Sequence, residues 1–296
     1  MSKIAILTDS SCDIPQEMAE KYGIDIMSFH ILLDDVDYVE RESCTNTEFY
    51  DKMRLSKGVP STAAITPIQF CEKYCQYVDE GYTDVIHVPI NKSGSSTYNN
   101  ALMAQGILRE ERPEHHMKIH LLDPHTYSMV FGWYLCEMAR KLKNGAEISH
   151  VIQEFEKQMN CMEIVLGPYS LKQMKKSGRI SAAAAVMGEL MGVRPIITLI
   201  DGKTKVESKV RGDDKVVPAM IELCKKRADG VENFDYMIGH TNIKQAEDLE
   251  KACRKAFGKA PLVVFELGGV VSANTGPDTV ALAVSYTHLR AHETLS

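Results

Sequence analysis

Apolar runs alternate with helical segments through the first half of the chain. Residues 3–8, 84–90 and 118–122 are apolar runs of strand length, and a further strand-like segment, 24–33, ends at a turn formed by Asp34 and Asp35. The segments with the spacing of amphipathic helices cover 15–22, 46–55, 67–80, 97–109, 127–143 and 147–159. Strands that alternate with helices predict a doubly wound, mostly parallel sheet, so we assign the α/β fold class.

The pattern changes near residue 160. Segments 195–200 and 203–210 flank an Asp-Gly pair, which predicts an antiparallel hairpin with a tight turn. Strands are predicted at 162–166, 234–239, 261–266 and 278–284, and helices at 169–176, 214–228 and 243–257. We therefore predict an N-terminal α/β lobe over 1–160 and a C-terminal α+β lobe with a mixed or antiparallel sheet over 161–284.

Residues 285–296 break this pattern. They are polar and lack any period, although they follow directly on an apolar strand-like run. Residues 284–294 resemble an in-frame translation of a sequencing-library adaptor, so we interpret 285–296 as a non-native tail that is disordered or packed by chance. The alternative is a genuine, variable terminus. We leave His288 and His292 out of the site analysis.

Loops rich in Ser and Thr occur where strands are predicted to pass into helices. They cover 9–13, 60–67 and 91–98. Hydroxyl groups beside the free amides of a helix N-terminus bind oxyanions, and such loops lie at the carboxyl ends of parallel strands, where ligands of α/β proteins collect. The sequence therefore predicts a site for a carboxylate or a phosphate.

Composition narrows the class of partner. Among 296 residues, 44% are hydrophobic and 25% charged, and the formal net charge is 34 − 40 = −6 without a basic block, which argues against nucleic acid. The N-terminus lacks the pattern of a secretory signal, and apolar runs stay below the ~20 residues of a membrane span, so we expect a cytoplasmic protein. The eight cysteines are scattered; Cys71 and Cys75 share a helix face, but a second ligand pair at zinc spacing does not follow. We expect free thiols, without a metal or a cofactor.

Six motifs occur in order along the chain. They are Thr8-Asp-Ser-Ser-Cys-Asp-Ile-Pro15, Ser61-Thr-Ala-Ala-Ile-Thr-Pro67, Lys92-Ser-Gly-Ser-Ser-Thr-Tyr98, Lys176-Ser-Gly-Arg-Ile-Ser181, Lys209-Val-Arg-Gly212 and Asn274-Thr-Gly-Pro277. Together they resemble the DegV family, whose members bind a fatty acid, and the resemblance covers about 1–283. It implies two lobes with a long-chain fatty acid between or within them. It also implies a bacterial lipid-binding carrier, not itself an enzyme, that presents the fatty-acid carboxylate to a partner kinase for acyl-phosphate formation.

The resemblance also implies which side chains contact the ligand. Thr62 and Ser95 match the family's carboxylate-binding threonine and serine, although helix capping is the alternative for both. Ser96 and Thr97 follow as neighbours whose backbone amides matter more than their side chains. Arg179 is expected to pair with the carboxylate or an incoming phosphate, with an interlobe salt bridge as the alternative.

Two departures from the family pattern affect the expected head-group site. Asn274 stands where the family usually has His, and it keeps a donor but does not titrate. Thr275 follows it, and both are assigned to the ligand site. Asp278 replaces a glycine, which places a carboxylate where the family is expected to need a positive φ and where it would repel an anion.

Other positions leave more than one interpretation open. Arg211 is assigned to phosphate, to the kinase or to an ion pair with Glu207, and His240 to phosphate or partner contact or to a structural hydrogen bond. The small residues and Met of 182–193 either make room for an acyl chain or permit close helix packing.

Two other functions compete with the carrier. One is a hydrolase or phosphotransferase that uses Ser95, and the other is a small-ligand sensor. The chain lacks a Gly-x-Ser-x-Gly elbow, a phosphate-binding Gly-x-x-x-x-Gly-Lys-Ser/Thr loop and a Gly-x-Gly-x-x-Gly motif, which argues against the common enzymes of these classes. Asp9 and Asp13 either hold magnesium, or Asp9 caps the helix at 15–22.

Overall fold

The first part of the chain folds as alternating strands and helices. The computed structural model describes residues 3–178, 192–230 and 234–286. The elements in its first part are β1 (Ile4–Asp9), a short 3-10 turn (Ser10–Cys12), α1 (Gln16–Tyr22), β2 (Ile24–Met27), β3 (His30–Leu33), β4 (Val36–Val39), α2 (Asn46–Leu55), β5 (Ser61–Ala63), α3 (Pro67–Asp79), β6 (Asp84–Val88), α4 (Thr97–Glu111), β7 (Lys118–Leu121), α5 (Met129–Lys143) and α6 (Ile148–Asn160).

A parallel sheet of four strands forms the centre of this half, in the order β2-β1-β6-β7. The two middle strands are almost entirely buried because helices cover both faces. α2 and α3 begin with capping boxes built by Thr45 with Glu48 and by Thr66 with Gln69, which explains why the sequence located these helix starts well. The predicted doubly wound parallel sheet is confirmed.

A small antiparallel sheet, in the order β4-β3-β5, was not predicted. The segment 24–33, expected as one strand, divides between β2 in the parallel sheet and β3 in the small sheet, with buried Phe29 between them. The expected turn at Asp34 and Asp35 is present, and both residues have positive φ. β5 lies in the loop expected at 60–67 and pairs Thr62 with Ile31, but three residues are too few to show a period.

The second part of the chain builds a mixed sheet of six strands, in the order β10-β9-β8-β13-β11-β12. Its elements are β8 (Met162–Pro168), α7 (Lys172–Ser177), β9 (Val193–Ile200), β10 (Lys203–Arg211), α8 (Val216–Ala228), β11 (Tyr236–His240), α9 (Ile243–Phe257), β12 (Val264–Glu266), α10 (Gly269–Thr275) and β13 (Thr279–Ser285). The hairpin of β9 and β10 turns at Asp201 and Gly202, both with positive φ, as the Asp-Gly pair predicted. Within the described ranges, none of the helices has the length and hydropathy needed to cross a membrane.

The short helix α10 was also missed by the sequence analysis. Its seven residues contain a glycine and two valines and give too little period for recognition. In the structure it packs on α2, α7, β5 and the 3-10 turn. α10 therefore connects the second half of the chain to the first.

The two faces of the C-terminal sheet belong to different hydrophobic clusters. Ala281 and Ala283 face a cluster that also contains Ile6 and Val88 of the N-terminal sheet. Leu282, which points the other way, packs with residues of α8 and α9. One hydrophobic cluster thus contains residues of both lobes. The domain boundary near residue 160 stays a prediction.

Strand β13 continues into the start of the polar tail. Ser285 pairs with Met162 at the end of β8. Tyr286 is buried, its amide donates to the Cys161 carbonyl (2.9 Å) and its hydroxyl donates to the Cys224 carbonyl (3.2 Å). The first two residues of the predicted tail are therefore packed, and residues 287–296 lie outside the described part of the chain.

The close approach of α5 to the 3-10 turn gives a test of this packing. A Cβ on Gly132 would overlap the Cys12 carbonyl oxygen and lie 2.8 Å from Ile14 Cγ1. Because backbone cannot move aside cheaply, we expect Gly132→Ala to lower the free energy of unfolding by about 1–3 kcal/mol in urea denaturation.

The matched control is Gly106→Ala in α4, where a Cβ would meet nothing within 4 Å. That change should raise the free energy of unfolding by about 0.5–1 kcal/mol, because alanine favours the helix. Equal effects of the two substitutions would contradict the described contact of α5 with the 3-10 turn.

Candidate functional site

A cavity lies between the two lobes and is lined by the six-stranded sheet and α10 on one side and by β5, α5 and loops of the N-terminal lobe on the other. The unfilled space is about 1170 Å³, counted to include its opening to solvent. Its apolar wall is formed by side chains from both lobes: Phe29, Ile90, Val130, Ile164, Leu166, Leu199, Phe265, Leu267, Val270, Val271, Ala281 and Ala283. A cavity of this size with a mostly apolar wall and a few polar groups is typical of a small-molecule site.

The polar part of the wall comes from the loop before α4. Ser95 and Ser96 line the cavity; Ser95 is half-buried and Ser96 is exposed, so this part of the wall reaches solvent. Ser95 Oγ accepts a hydrogen bond from the Thr97 amide (3.2 Å) and lies 2.8 Å from Thr97 Oγ1. Ser95 thus bonds the first amide of α4 and lines the cavity, although the N-cap position itself is Ser96, whose side chain makes no capping bond. Contact of Ser95 with a ligand stays a prediction.

Three more of the expected ligand residues reach the same cavity from other elements. Thr62 lines it from β5, and Asn274 and Thr275 line it from α10. Asn274 Nδ2 donates to the Val270 carbonyl (2.8 Å), which leaves one amide hydrogen for a ligand. Within the described residues the buried Thr275 hydroxyl has no hydrogen-bond partner. Residues predicted from widely separated motifs therefore converge on one cavity.

The remaining expected residues lie elsewhere. Thr97 is buried and does not line the cavity, and Arg211 is exposed at the end of β10. Glu207, an expected partner of Arg211, pairs instead with Arg227 (2.8 Å). Arg179 lies outside the described residues, as do positions 182–191 of the small-residue segment.

His240 is buried at the end of β11, beside the cavity residue Gly239. Its carbonyl accepts a hydrogen bond from the Leu267 amide (2.8 Å), and burial lowers the pKa of its imidazole. These contacts place His240 within the sheet. A phosphate or partner contact of its side chain stays a prediction.

The concerns raised by Asp278 do not apply in this structure. Its carboxylate accepts a hydrogen bond from Arg54 (3.1 Å), and the same guanidinium donates to the Pro277 carbonyl (2.6 Å). Asp278 does not line the cavity and its φ is not positive. The expectation of a positive φ at this position was wrong, and Arg54 holds the charge of Asp278 away from the cavity.

Two carboxylates that the sequence analysis did not assign to the site hold the walls of the cavity. Glu40 is buried and accepts hydrogen bonds from the Val270 amide (2.7 Å) and from the Ser10 hydroxyl. Asp13 accepts a hydrogen bond from the Ser128 hydroxyl. Since Val270 and Ser128 both line the cavity, these acids position two of its walls. Glu40 follows an unpredicted strand, which explains why no pattern identified it.

Burial governs the protonation of this acidic group. It raises the pKa of Glu40, raises that of Asp9 to about 7, and, together with the Glu40 charge, raises that of Asp13 well above its usual range. Asp9 accepts hydrogen bonds from the amides of Ser11 (3.1 Å) and Ile90 (2.6 Å). Asp9 therefore caps the 3-10 turn, and the expectation that it would cap α1 was wrong. It also joins β1 to the loop that follows β6.

Backbone conformation also shapes the wall near Ser95. Ser128 has φ 65° and ψ −160°, a region that favours glycine, so its backbone is strained at the cavity. A Cβ on Gly94 would overlap the Tyr127 ring, which explains the glycine in this loop. The sequence analysis placed Tyr127 and Ser128 inside a helix at 127–143, but α5 begins at Met129, and both residues line the cavity from the loop before it.

Comparisons with known proteins agree with this architecture. A family model described as "Uncharacterised protein, DegV family" matches residues 3–287. A DegV domain-containing protein of Clostridium perfringens is 28% identical over 291 residues, which cover 95% of this chain and 98% of the relative. A DegV domain-containing protein of Staphylococcus aureus is 28% identical over 286 residues, which cover 95% and 96% of the two chains.

Solved structures share the whole fold. A fatty acid binding DegV family protein from Streptococcus agalactiae superposes with a TM-score of 0.83 at 25% identity and covers 96% of this chain and 99% of its own. A stearic acid-binding protein from Eubacterium ventriosum superposes with a TM-score of 0.87 at 22% identity, over 99% of this chain and 100% of its own.

The raised pKa of Asp13 predicts a pH-dependent stability. The unfolded carboxyl loses its proton near pH 4, whereas the folded one keeps it to a much higher pH, so the folded state binds more protons in between. Asp13→Asn imitates the protonated form and accepts the positive φ of this position. The free energy of unfolding of the unmodified protein, measured relative to Asp13→Asn, should therefore fall by at least about 1 kcal/mol between pH 5 and pH 8.

Asp229→Asn is the matched control, since Asp229 also has a positive φ but is exposed. Its stability difference from the unmodified protein should stay constant over this range. A constant difference for Asp13→Asn as well would contradict the protonated, buried acid.

Proposed function

This chain belongs to the DegV family, and we propose that it binds a long-chain fatty acid in the cavity between its lobes and presents the carboxylate to a partner kinase. The observation that carries the proposal is one cavity that combines a largely apolar wall with a cluster of hydroxyl and amide groups. The fatty-acid-binding DegV structures similar to this chain support the choice of ligand.

The apolar wall supplies most of the binding free energy. Burial of ~14 to 16 methylenes at ~0.8 kcal/mol each contributes on the order of 10 kcal/mol before the cost of ordering the chain. Alanines at 281 and 283 leave room along β13, where larger side chains would fill the space. The polar groups then set the orientation of the ligand more than its affinity.

The carboxylate is proposed to lie beside the loop before α4. Ser95 and Thr62 can each donate a hydroxyl hydrogen bond, and Asn274 an amide hydrogen bond. The free amides at the start of α4 add a favourable partial positive charge. Because Asn274 does not titrate, its contribution to head-group binding stays constant from pH 5 to pH 8. Arg179, outside the described residues, is the cation proposed to complete the clamp.

Ser95 favours a carrier over an enzyme. Its hydroxyl is bonded to Thr97 and, within the described residues, to no imidazole or carboxylate that would act as a base. Ser96 is exposed, so the polar part of the cavity is open to solvent. We propose that a kinase reaches the carboxylate there, where a carboxylate oxygen attacks the γ-phosphate of kinase-bound ATP and ADP leaves. ATP is abundant in the cytoplasm, the compartment we propose.

Native mass spectrometry of the purified chain tests the ligand class. A mass increment equal to one fatty acid, released on denaturation and identified after organic extraction, is expected. A protein that carries no lipid and takes up neither added oleate nor palmitate would contradict the proposal.

The proposal predicts that Ser95→Ala separates lipid uptake from phosphorylation. Loss of one donor to the charged carboxylate should slow acyl-phosphate formation on the order of tenfold, measured with ATP and a fatty-acid kinase. Lipid uptake should change less than about threefold, because it depends on the apolar wall.

Ser93→Ala is the matched control, because Ser93 Oγ bonds Asn91 (2.8 Å) in the same loop and does not line the cavity. It should leave both measurements unchanged. Equal losses of uptake and phosphorylation in a folded Ser95→Ala protein would overturn the assigned role of Ser95.

A second prediction concerns the length of the acyl chain. Ala283→Leu adds three carbons to the cavity wall and should shift the bound fatty acids, identified by mass spectrometry, to shorter chains. Ala63→Leu makes the same change on the exposed face of β5 and should leave the lipid profile unaltered. An unaltered profile in Ala283→Leu would place the acyl chain elsewhere.

A further inference from the structure

Two thiols and a carboxylate meet where α3 packs against α4, away from the cavity. Cys71 and Cys75 are one turn apart on α3, so both side chains lie on the same face. Glu111 is the last residue of α4 and approaches them from the side, with 3.7 Å between Cys75 Sγ and Glu111 Oε2. The three potential ligand atoms lie within 4.8 Å of one another, and within the described residues this is the group of three that could hold a metal ion.

These separations fit a tetrahedral zinc ion. Zn–S bonds of about 2.3 Å and Zn–O bonds of about 2.1 Å place sulfur and oxygen ligands about 3.6 Å apart and two sulfurs about 3.8 Å apart. The observed 3.7 Å between Cys75 Sγ and Glu111 Oε2 matches the first value. The upper limit of 4.8 Å exceeds the second by about 1 Å, which rotation of a cysteine side chain can close.

The surroundings of the two thiols allow a cation to enter. Arg112, the residue after Glu111, pairs with Asp79 (3.4 Å), which offsets its repulsion of a metal ion. Glu111 is exposed and gives the ion a path from solvent.

We propose that Cys71, Cys75 and Glu111 bind one Zn²⁺ ion, with water as the fourth ligand, and that this ion clamps α3 to α4. The sequence analysis expected no metal because it searched for pairs of ligands at short spacing. Glu111 lies 36 residues from Cys75 and joins the group only when the helices pack. On binding, the two thiols release their protons to solvent and the two thiolates and the carboxylate coordinate the ion.

The clamp lies on the two helices that follow the cavity-lining segments at 62–64 and 94–96. α3 begins after the β5 loop, and α4 begins after Ser95 and Ser96. The α3–α4 contact is the most extensive between two helices of the described residues. The ion therefore stabilises the framework of the polar loops, and its binding does not depend on the proposed fatty acid.

Cobalt substitution tests the site directly in the full chain without a histidine tag. The reduced protein is freed of metal with a chelator and titrated with Co²⁺ alone under anaerobic conditions. We expect a thiolate-to-cobalt charge-transfer band that saturates at one equivalent and disappears when Zn²⁺ is added. A protein without this band would overturn the proposal.

Variants then assign the ligands. Cys71→Ser and Cys75→Ser should each weaken the band, and the double variant should abolish it. Cys44→Ser, a half-buried cysteine outside the group, should leave it unchanged. A band that persists in the double variant would place the metal on other cysteines and overturn the assignment.

Glu111→Gln keeps the test valid if the cysteine variants fold poorly, because Glu111 is exposed. The variant should keep the thiolate band but bind Co²⁺ at least about tenfold more weakly. Zn²⁺ should raise the Tm of the unmodified protein more than that of Glu111→Gln. Equal affinity and an equal rise in Tm would show that the carboxylate is not a ligand.

Discussion

The start of α10 is held by carboxylates from the other lobe, and the rest of the cavity depends on this contact. Glu40 accepts a hydrogen bond from the Val270 amide across 230 positions of sequence, and Asp13 lies against Gly268. A helix of seven residues is barely stable alone, and a buried carboxylate without donors is costly. The Val270 amide therefore supplies a donor to buried Glu40, and Glu40 supplies an acceptor to the start of α10. The two lobes are joined through this polar contact inside an apolar interface.

The same contact explains how a cluster of acids can lie beside the proposed site for a carboxylate. Val270 and Ser128 line the cavity on one side and bond the acids on the other. Burial raises the pKa of these acids, so they carry less negative charge than their number suggests. The acids thus add little negative charge behind this wall, and Arg54 holds the charge of Asp278 outside the cavity.

The parts of the fold that the sequence predicted are those with a repeated local pattern. The parallel strands, the capped helices and the Asp201-Gly202 hairpin each carry such a pattern, and all are present. The small sheet and α10 are too short to show a period, and they are the elements that place Thr62 and Thr275 at the cavity. Glu40 was missed because its role arises only when distant segments pack together.

The position of β13 has a consequence for the order of folding during synthesis. This strand is the last one described along the chain, yet it lies in the middle of the C-terminal sheet, between β8 and β11. Until residues 279–285 leave the ribosome, β8 and β11 each keep an unpaired edge, and such edges promote aggregation. In the nascent protein, β8 and β11 therefore cannot complete their hydrogen bonds until the final strand inserts between them.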